Sequence, residues 1–301
     1  MTDPKHTPFG TVVIAGGTHG NERTGVALVQ HWQQNPAEIR GTTFATRTLL
    51  SNPDAIRRNI RFVDRDLNRS FLPHHLEDGA AKAYEIRRAR EITVWMAAEQ
   101  EKRRTFAIDL HTSTACMGTT LITNSDPINL AIALAAQKEL EGARVYSFAD
   151  SDRINSCLRA AAHGGLGIEI GPIPQGVLRH EILEKTRTAV ACVLAVLERF
   201  NRGELEPPDP QGPLYRHDRH VAFPETSPEA PPVFIHRALE GRDYLPLHPG
   251  QPIFADLAGR IWHFDGPEVR YPVFINEAAY YNENIAFSMT RKIPLASLDI
   301  F

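Results

Sequence analysis

Short apolar runs alternate with amphipathic segments over the first 200 residues. Strands are predicted where β-branched and apolar residues cluster beside turn residues, at 11–17, 43–50, 60–64, 106–111, 119–123, 143–148 and 166–171. Helices are predicted where apolar residues recur every three to four positions, at 22–34, 83–102, 127–139, 152–162 and 180–200. Strands that alternate with helices favour an α/β domain built on a mostly parallel or mixed sheet flanked by helices.

The pattern changes near residue 205. Six prolines fall between positions 207 and 228, and long helical patterns are missing beyond them. Short β-like segments separated by turn signals follow at 233–236, 252–257, 259–264 and 271–276. We therefore predict an α/β domain over residues 1–205 and a smaller β-rich domain over residues 206–301.

Composition narrows the class of protein. The chain has 301 residues, of which 42% are hydrophobic and 23% charged, and its net charge of −3 argues against coating nucleic acid or an anionic membrane. The three cysteines are odd in number and form no CxxC, so reduced thiols are expected rather than disulfides or a cysteine zinc site. With neither a signal-peptide pattern nor an apolar run long enough to span a bilayer, we expect a cytoplasmic protein with no membrane partner.

Candidate metal ligands lie at two predicted strand ends. The segment GGTHGNE carries His19 and Glu22, and its glycines allow a tight turn that brings an imidazole and a carboxylate, both zinc ligands, to one side. His111 ends the strand FAIDLH and can converge with them, because sites collect at the carboxyl ends of strands in α/β sheets. Asp109 lies on the same strand face and would orient the ring of His111. The alternatives are an ordinary polar turn and a strand-end hydrogen bond between Asp109 and His111.

A carboxylate also lies inside an apolar strand. The segment LGIEIG places Glu169 among apolar neighbours, where burial would raise its pKa. Such a group suits a general base acting on zinc-bound water. The alternative is an edge strand with Glu169 facing solvent.

Arginines cluster in the segment DRDLNR (64–69), with Arg61 just upstream. Guanidinium groups bind carboxylates in bidentate fashion, so the cluster suits an anionic substrate or a developing oxyanion. A solvated run of charges is the alternative. From the residues alone, Arg159 is a helix-surface arginine and Tyr280 is a packing aromatic.

Together these segments resemble a known family. GGTHGNE, NPDAIRRNIRFVDRDLNRSF, IDLHTSTACMG, GIEIGPIPQGVLR and YPVFINEAAYY, in this order, resemble the motifs of the aspartoacylase/succinylglutamate desuccinylase family of zinc-carboxypeptidase-like hydrolases. The resemblance covers residues 10 to 290, about the whole chain. It implies a carboxypeptidase-like α/β domain and a β-rich domain that narrows the substrate channel.

The resemblance implies a catalytic centre with one Zn²⁺ per subunit. His19, Glu22 and His111 would be the zinc ligands. Glu169 would be the general base and later the proton donor to the leaving amine, and Arg61 would polarise the scissile carbonyl. The implied activity is hydrolysis of an N-acyl amino acid by Glu-assisted attack of zinc-bound water.

The resemblance also implies the substrate contacts. Asn68 and Arg69 would hold the α-carboxylate of the N-acyl amino acid, Arg159 would meet an aspartate side chain, and Tyr280 would close over the substrate. The implied reaction is deacetylation of N-acetyl-L-aspartate to L-aspartate and acetate. Members of the family are often dimers or higher homo-oligomers.

Two positions depart from the family pattern. In the family, a tyrosine four residues before the arginine that corresponds to Arg159 helps to form the pocket, and here that position is Asn155. The residue after the third zinc ligand is often Asn in the family, and here it is Thr112. These departures leave a second substrate class open, namely N-acyl aromatic amino acids. A non-enzymatic binding protein on the same fold is a third hypothesis, which the retention of Glu169 and all three ligands disfavours.

Overall fold

The computed structural model describes residues 7–148, 155–209, 212–225 and 231–297. Its helices are α1 (Arg23–Gln34), α2 (Pro53–Arg58), α3 (Pro73–Glu77), α4 (Tyr84–Gln100), α5 (Pro127–Glu139) and α6 (His180–Arg202). Its strands are β1 (Thr11–Gly16), β2 (Ala45–Leu50), β3 (Thr105–Thr112), β4 (Gly118–Thr123), β5 (Arg144–Ser147), β6 (Gly164–Gly171), β7 (Pro213–Ala222), β8 (Val233–Ile235), β9 (Pro252–Asp256), β10 (Ile261–His263), β11 (Tyr271–Val273) and β12 (Ile285–Pro294).

A nine-stranded mixed sheet forms the centre, in the order β11-β12-β7-β5-β4-β6-β3-β1-β2. Strands β2, β1, β3 and β6 are parallel neighbours, whereas β4 runs antiparallel to β6. The carboxyl ends of β1, β3 and β6 therefore meet at one edge of the sheet, where loop residues can converge.

Both faces of the sheet are covered, which explains the continuous apolar run in β1. Val12 and Ile14 pack into a core shared with α1, α5 and α6. Val13 and Ala15 point to the other face and pack into a core shared with α4.

The apolar cover of the α4 face gives way to polar residues toward the carboxyl ends of β3 and β6. Asp109 and His111 share this face of β3, and Gly167 and Glu169 share it on β6, since alternate residues point the same way. His111 and Glu169 are register partners on adjacent strands. These groups thus lie on two adjacent interior strands of the sheet, β3 and β6.

Most predicted elements are confirmed, and the α/β fold class with a mixed sheet is confirmed. The predicted strand at 60–64 is wrong, because the backbone N–H groups of Val63 and Asp64 donate to the carboxylate of Glu85 and not to a neighbouring strand. The predicted helix at 152–162 is only partly confirmed: among its described residues Asn155 is helical, a turn follows, and a 3-10 turn spans Leu158–Ala161. Positions 152–154 lie outside the described residues.

The C-terminal part joins the central sheet. Strands β8, β9 and β10 form a separate three-stranded sheet, but β7, β11 and β12 extend the nine-stranded one. The ten-residue strands β7 and β12 were missed by the sequence pattern because β7 is rich in charged residues and histidine. The proposed boundary between residues 205 and 206 stays a prediction. Within the described ranges, no helix is long and apolar enough to cross a bilayer.

Asp243 ties the C-terminal part to the loop that follows β3. Its carboxylate accepts hydrogen bonds from the backbone N–H groups of Cys116 at 3.2 Å and Ile275 at 3.1 Å. Burial raises the pKa of Asp243 to about 7, although these N–H groups oppose the shift. The loop and the C-terminal segment are held together by a carboxyl that titrates near neutral pH.

We expect Asp243→Asn to flatten the pH dependence of stability. In the unfolded chain an aspartate has a pKa of about 3.9, so the folded state holds the extra proton between about pH 4 and pH 7. The contribution of Asp243 to the free energy of unfolding is therefore fully present below about pH 4 and is lost as the pH rises toward and through 7. Measured by urea unfolding, the stability of the variant relative to wild type should improve by about 2–3 kcal/mol from pH 5 to pH 8. A relative stability that is the same at both pH values would contradict the assignment.

Candidate metal centre and substrate pocket

Three buried side chains converge on one point at the sheet edge. One ligand atom each from His19, Glu22 and His111 lies within 4.8 Å of the others. The turn that presents His19 depends on glycine, because a Cβ on Gly20 would lie 2.1 Å from the backbone of Ala55. Two imidazole nitrogens and a carboxylate are a donor set that suits zinc, so the residues fit a divalent metal ion.

The carboxylate of Glu22 lies between the two rings. Its Oε1 lies 2.5 Å from Nδ1 of His19, and its Oε2 lies 2.9 Å from Nδ1 of His111. Burial alone would raise the pKa of Glu22, but the charges and hydrogen bonds of His19 and His111 lower it. The group is therefore held ionised, as a metal ligand must be.

An outer carboxylate fixes each ring from behind. Nε2 of His111 lies 2.8 Å from Oδ2 of Asp109, and Nε2 of His19 lies 3.1 Å from Oδ1 of Asp66. These contacts orient each ring so that its Nδ1 faces the carboxylate of Glu22. The structure places Asp109 as the sequence predicts. The role of Asp66 was missed, and its signal is an acidic residue among the arginines of DRDLNR.

Glu169 lies beside His111 with its side chain 8% exposed, so the solvent-facing alternative is wrong. Burial raises the pKa of Glu169 well above its usual range. The negative charges of Glu22 and Glu277 raise it further, against the opposing charges of His111 and Arg61. A carboxyl with a raised pKa can both accept and return a proton near neutral pH.

The arginine segment forms one wall of the pocket and is not a solvated charge run. Arg61 donates from Nη1 to Glu22 at 3.3 Å and from Nη2 to Asp66 at 3.1 Å. Asn68 donates from Nδ2 to Asp109 at 3.1 Å, and Arg69 lines the same pocket. Two guanidinium groups and an amide thus flank the metal-binding residues.

Arg159 also lines the pocket, from the 3-10 turn Leu158–Ala161. Its Nη1 donates to the backbone carbonyl of Ile122. Gly167 on β6 leaves space beside it, since a Cβ at that position would lie 3.6 Å from the same Nη1. Asn155 is exposed and lines a neighbouring polar cavity, so it does not take the pocket position of the family's tyrosine.

Three aromatic side chains also line the pocket. Phe148, Phe274 and Tyr280 line it, and the rings of Phe274 and Tyr280 lie 5.5 Å apart. Tyr280 is 8% exposed and comes from the C-terminal part of the chain. The pocket therefore combines aromatic rings with cationic groups.

Glu277 is a functional candidate that the sequence analysis missed. Its Oε2 accepts hydrogen bonds from Ser113 and from the backbone N–H of Thr114 at 2.8 Å. Its Oε1 accepts from the N–H of Ala279 at 3.1 Å, at the start of the 3-10 turn Ala278–Glu283 that carries Tyr280. Glu277 thus couples the loop after His111 to the segment that bears Tyr280.

One pocket is lined by all nine residues to which the family resemblance gives a role in the site. These residues are His19, Glu22, Arg61, Asn68, Arg69, His111, Arg159, Glu169 and Tyr280. Their individual roles stay predictions. The arrangement brings together three groups that could hold a metal ion, a buried carboxyl and three guanidinium groups in one cleft, which is suited to hydrolysis of an anionic substrate.

Known family models match nearly the whole chain. The model of the succinylglutamate desuccinylase/aspartoacylase catalytic domain matches residues 8–197. The model of the AstE/AspA barrel-sandwich hybrid domain matches residues 211–292.

Individual relatives are similar over almost their full length. The chain is 39% identical over 292 residues to a human N-acyl-aromatic-L-amino acid amidohydrolase (carboxylate-forming), covering 95% of this chain and 91% of that protein. It is 36% identical over 282 residues to a probable aspartoacylase of Trichodesmium erythraeum, covering 93% and 96% of the two chains. The crystal structure of murine aminoacylase 3 superposes with a TM-score of 0.86 at 35% identity, covering 95% and 96% of the two chains.

Proposed function

This chain belongs to the succinylglutamate desuccinylase/aspartoacylase family, and from that premise we propose that it is a zinc-dependent hydrolase of N-acyl amino acids. The products would be a free amino acid and the carboxylate of the acyl group. The observation that carries the proposal is the joint presence, in one pocket, of the His19–Glu22–His111 donor set and the buried Glu169.

His19, Glu22 and His111 would hold the zinc ion. Bound zinc acts as a Lewis acid and lowers the pKa of water toward neutrality. Asp66 and Asp109 support this function by fixing the two imidazole rings.

Glu169 would carry the proton through the reaction. Its carboxylate takes a proton from the attacking water while the water oxygen bonds to the acyl carbon. The same proton then passes to the amide nitrogen, the C–N bond breaks, and the amine leaves. Arg61 would donate hydrogen bonds to the carbonyl oxygen as negative charge develops on it.

The cationic groups would bind the amino acid part of the substrate. Asn68 and Arg69 would hold the α-carboxylate, and Arg159 would hold a side-chain carboxylate. We therefore propose N-acetyl-L-aspartate as the substrate. The aromatic wall and the displaced Asn155 favour a second candidate, an N-acyl aromatic amino acid. The human relative is named for that class.

Arg159→Ala decides between the two candidates. If Arg159 pairs with a side-chain carboxylate, the variant should lose about 100-fold in kcat/KM for N-acetyl-L-aspartate, because a charge-assisted contact is lost. Its kcat/KM for N-acetyl-L-phenylalanine should change less than about threefold. The measurement is amine release from both compounds.

Arg144→Ala is the matched control, because Arg144 also donates to a backbone carbonyl, that of Gly142 at 2.8 Å, and does not line the pocket. It should leave both rates unchanged. Wild-type enzyme that prefers the phenylalanine compound would move the substrate to the aromatic class, and equal losses on both compounds in Arg159→Ala would defeat the pocket assignment.

We further propose that the enzyme is a cytoplasmic homo-oligomer, a dimer or higher, with one zinc ion per subunit and a domain boundary at residues 205/206. The only binding partner that the proposed function requires is the small-molecule substrate. Size-exclusion chromatography coupled to light scattering would measure the molar mass of the particle and so give the number of subunits.

A further inference from the structure

A second buried glutamate lies behind the pocket. Glu85 stands in the first turn of α4, and its side chain is completely buried. It does not line the substrate pocket. A buried carboxylate is costly unless donors surround it, so its contacts indicate what it is for.

Glu85 accepts hydrogen bonds from three consecutive backbone N–H groups. The N–H of Val63 lies 2.6 Å from Oε1, and those of Asp64 and Arg65 lie 3.0 Å and 3.2 Å from Oε2. Asn52 adds a fourth bond, from Nδ2 to Oε1 at 3.2 Å. Both carboxylate oxygens are thus used by one short stretch of backbone and one side chain.

The contact is reciprocal. The backbone N–H of Tyr84, at the start of α4, donates to Oδ2 of Asp64 at 2.6 Å. The start of the helix and the 63–65 segment therefore each supply a carboxylate to the other's backbone, and the positive end of the helix dipole favours both charges.

Residues 63–65, which Glu85 holds in this way, lie in the middle of the arginine-rich segment 61–69 that forms one wall of the pocket. It follows Arg61 and Phe62 and leads into Asp66, Asn68 and Arg69. The segment forms no β-ladder, so its own backbone does not fix it to the sheet. The bonds to Glu85 fix it to α4, a helix packed on the central sheet.

We propose that Glu85 is a positioning residue that sets where Asn68 and Arg69 stand, and thereby the enzyme's preference for a free α-carboxylate on its substrate. The proposal rests on the proposed function, which gives Asn68 and Arg69 that contact. Glutamine has the same shape as glutamate but presents an N–H₂ group to backbone N–H donors, so Glu85→Gln releases at least one side of the clamp.

The test is a ratio of two rate constants within one enzyme sample. kcat/KM is measured for an N-acetyl amino acid and for the same compound with its α-carboxyl converted to a primary amide. The ratio of the two values does not depend on the fraction of folded enzyme, so a merely structural defect leaves it unchanged. In Glu85→Gln we expect the ratio to fall about tenfold, with bound zinc retained.

Glu198→Gln is the matched control. Glu198 is also a helical glutamate that accepts from two consecutive backbone N–H groups, those of Thr42 and Thr43, but it lies outside the pocket. Its ratio should equal that of wild type. Asp64 is exposed, so Asp64→Ala removes the hydrogen bond from the N–H of Tyr84 without altering a buried side chain. It should also lower the ratio.

The outcomes separate the two proposals. A wild-type ratio near one would contradict the proposed roles of Asn68 and Arg69 themselves. A high wild-type ratio that survives unchanged in both Glu85→Gln and Asp64→Ala would overturn the positioning role of Glu85 alone.

Discussion

Replacement of Glu169 by glutamine is expected to lower kcat by about 10³-fold while the enzyme keeps its zinc. Glutamine has the size of glutamate but cannot take a proton from water or return one to the leaving nitrogen. Glu169 lies beside His111 in register but is not among the three converging ligands, so the metal site should survive.

Bound zinc and the rate of amine release should be measured on the same sample of Glu169→Gln. We expect the variant to bind about one zinc ion per chain and to show almost no turnover. A variant that retains zinc and more than about a tenth of wild-type turnover would remove Glu169 from its role as base.

Replacement of His111 by alanine is expected to abolish both zinc binding and turnover. The change removes one of three ligands and leaves Glu22 and Asp109 without the imidazole that lies 2.9 Å and 2.8 Å from them. Burial depresses the pKa of an isolated imidazole, but here the charges of Asp109 and Glu22 raise the pKa of His111 well above its usual value, so the ring is strongly coupled to both carboxylates. Its loss takes an imidazole partner from two buried carboxylates at once, which is costly in a buried site.

Metal analysis after dialysis separates this variant from Glu169→Gln. His111→Ala should hold less than about a tenth of an equivalent of zinc, because two protein ligands do not complete a zinc site. His31→Ala serves as control, since His31 bonds to Glu38 outside the pocket. Full zinc content in His111→Ala would show that the metal site lies elsewhere.

The central strands and the site could be predicted because their signals are local. The apolar run of β1 and the glycine turn that carries His19 are each contiguous in sequence, and the alternation of strands with helices indicates the α/β class, although not the strand order. His111 and Glu169 stand on strands whose ends must meet once the sheet is parallel.

The supporting groups could not be predicted because their partners are distant in sequence. Glu85 lies 20 or more residues from the backbone groups that it binds, and Glu277 lies more than 160 residues from Thr114. Nothing in the periodicity of α4 distinguishes Glu85 from a surface glutamate. The same long-range bonds explain the wrong strand at 60–64, whose apolar pattern was overridden by Glu85.

The two long C-terminal strands illustrate a different limit. The middle of β7 is a run of charged residues and histidines, RHDRH, and its pairing with β12 joins positions more than 60 residues apart. Only the three-dimensional structure shows that these strands extend the central sheet.

Zinc titration of chelated protein tests the central claim most directly. Protein stripped of metal is supplied with increasing Zn²⁺, and bound metal and amine release from N-acetyl-L-aspartate and N-acetyl-L-phenylalanine are followed together. We expect hydrolysis of one of the two compounds to rise at least about 100-fold and to saturate at one equivalent of zinc per chain. Stripped protein that hydrolyses either compound as fast as the zinc-loaded protein would contradict the account.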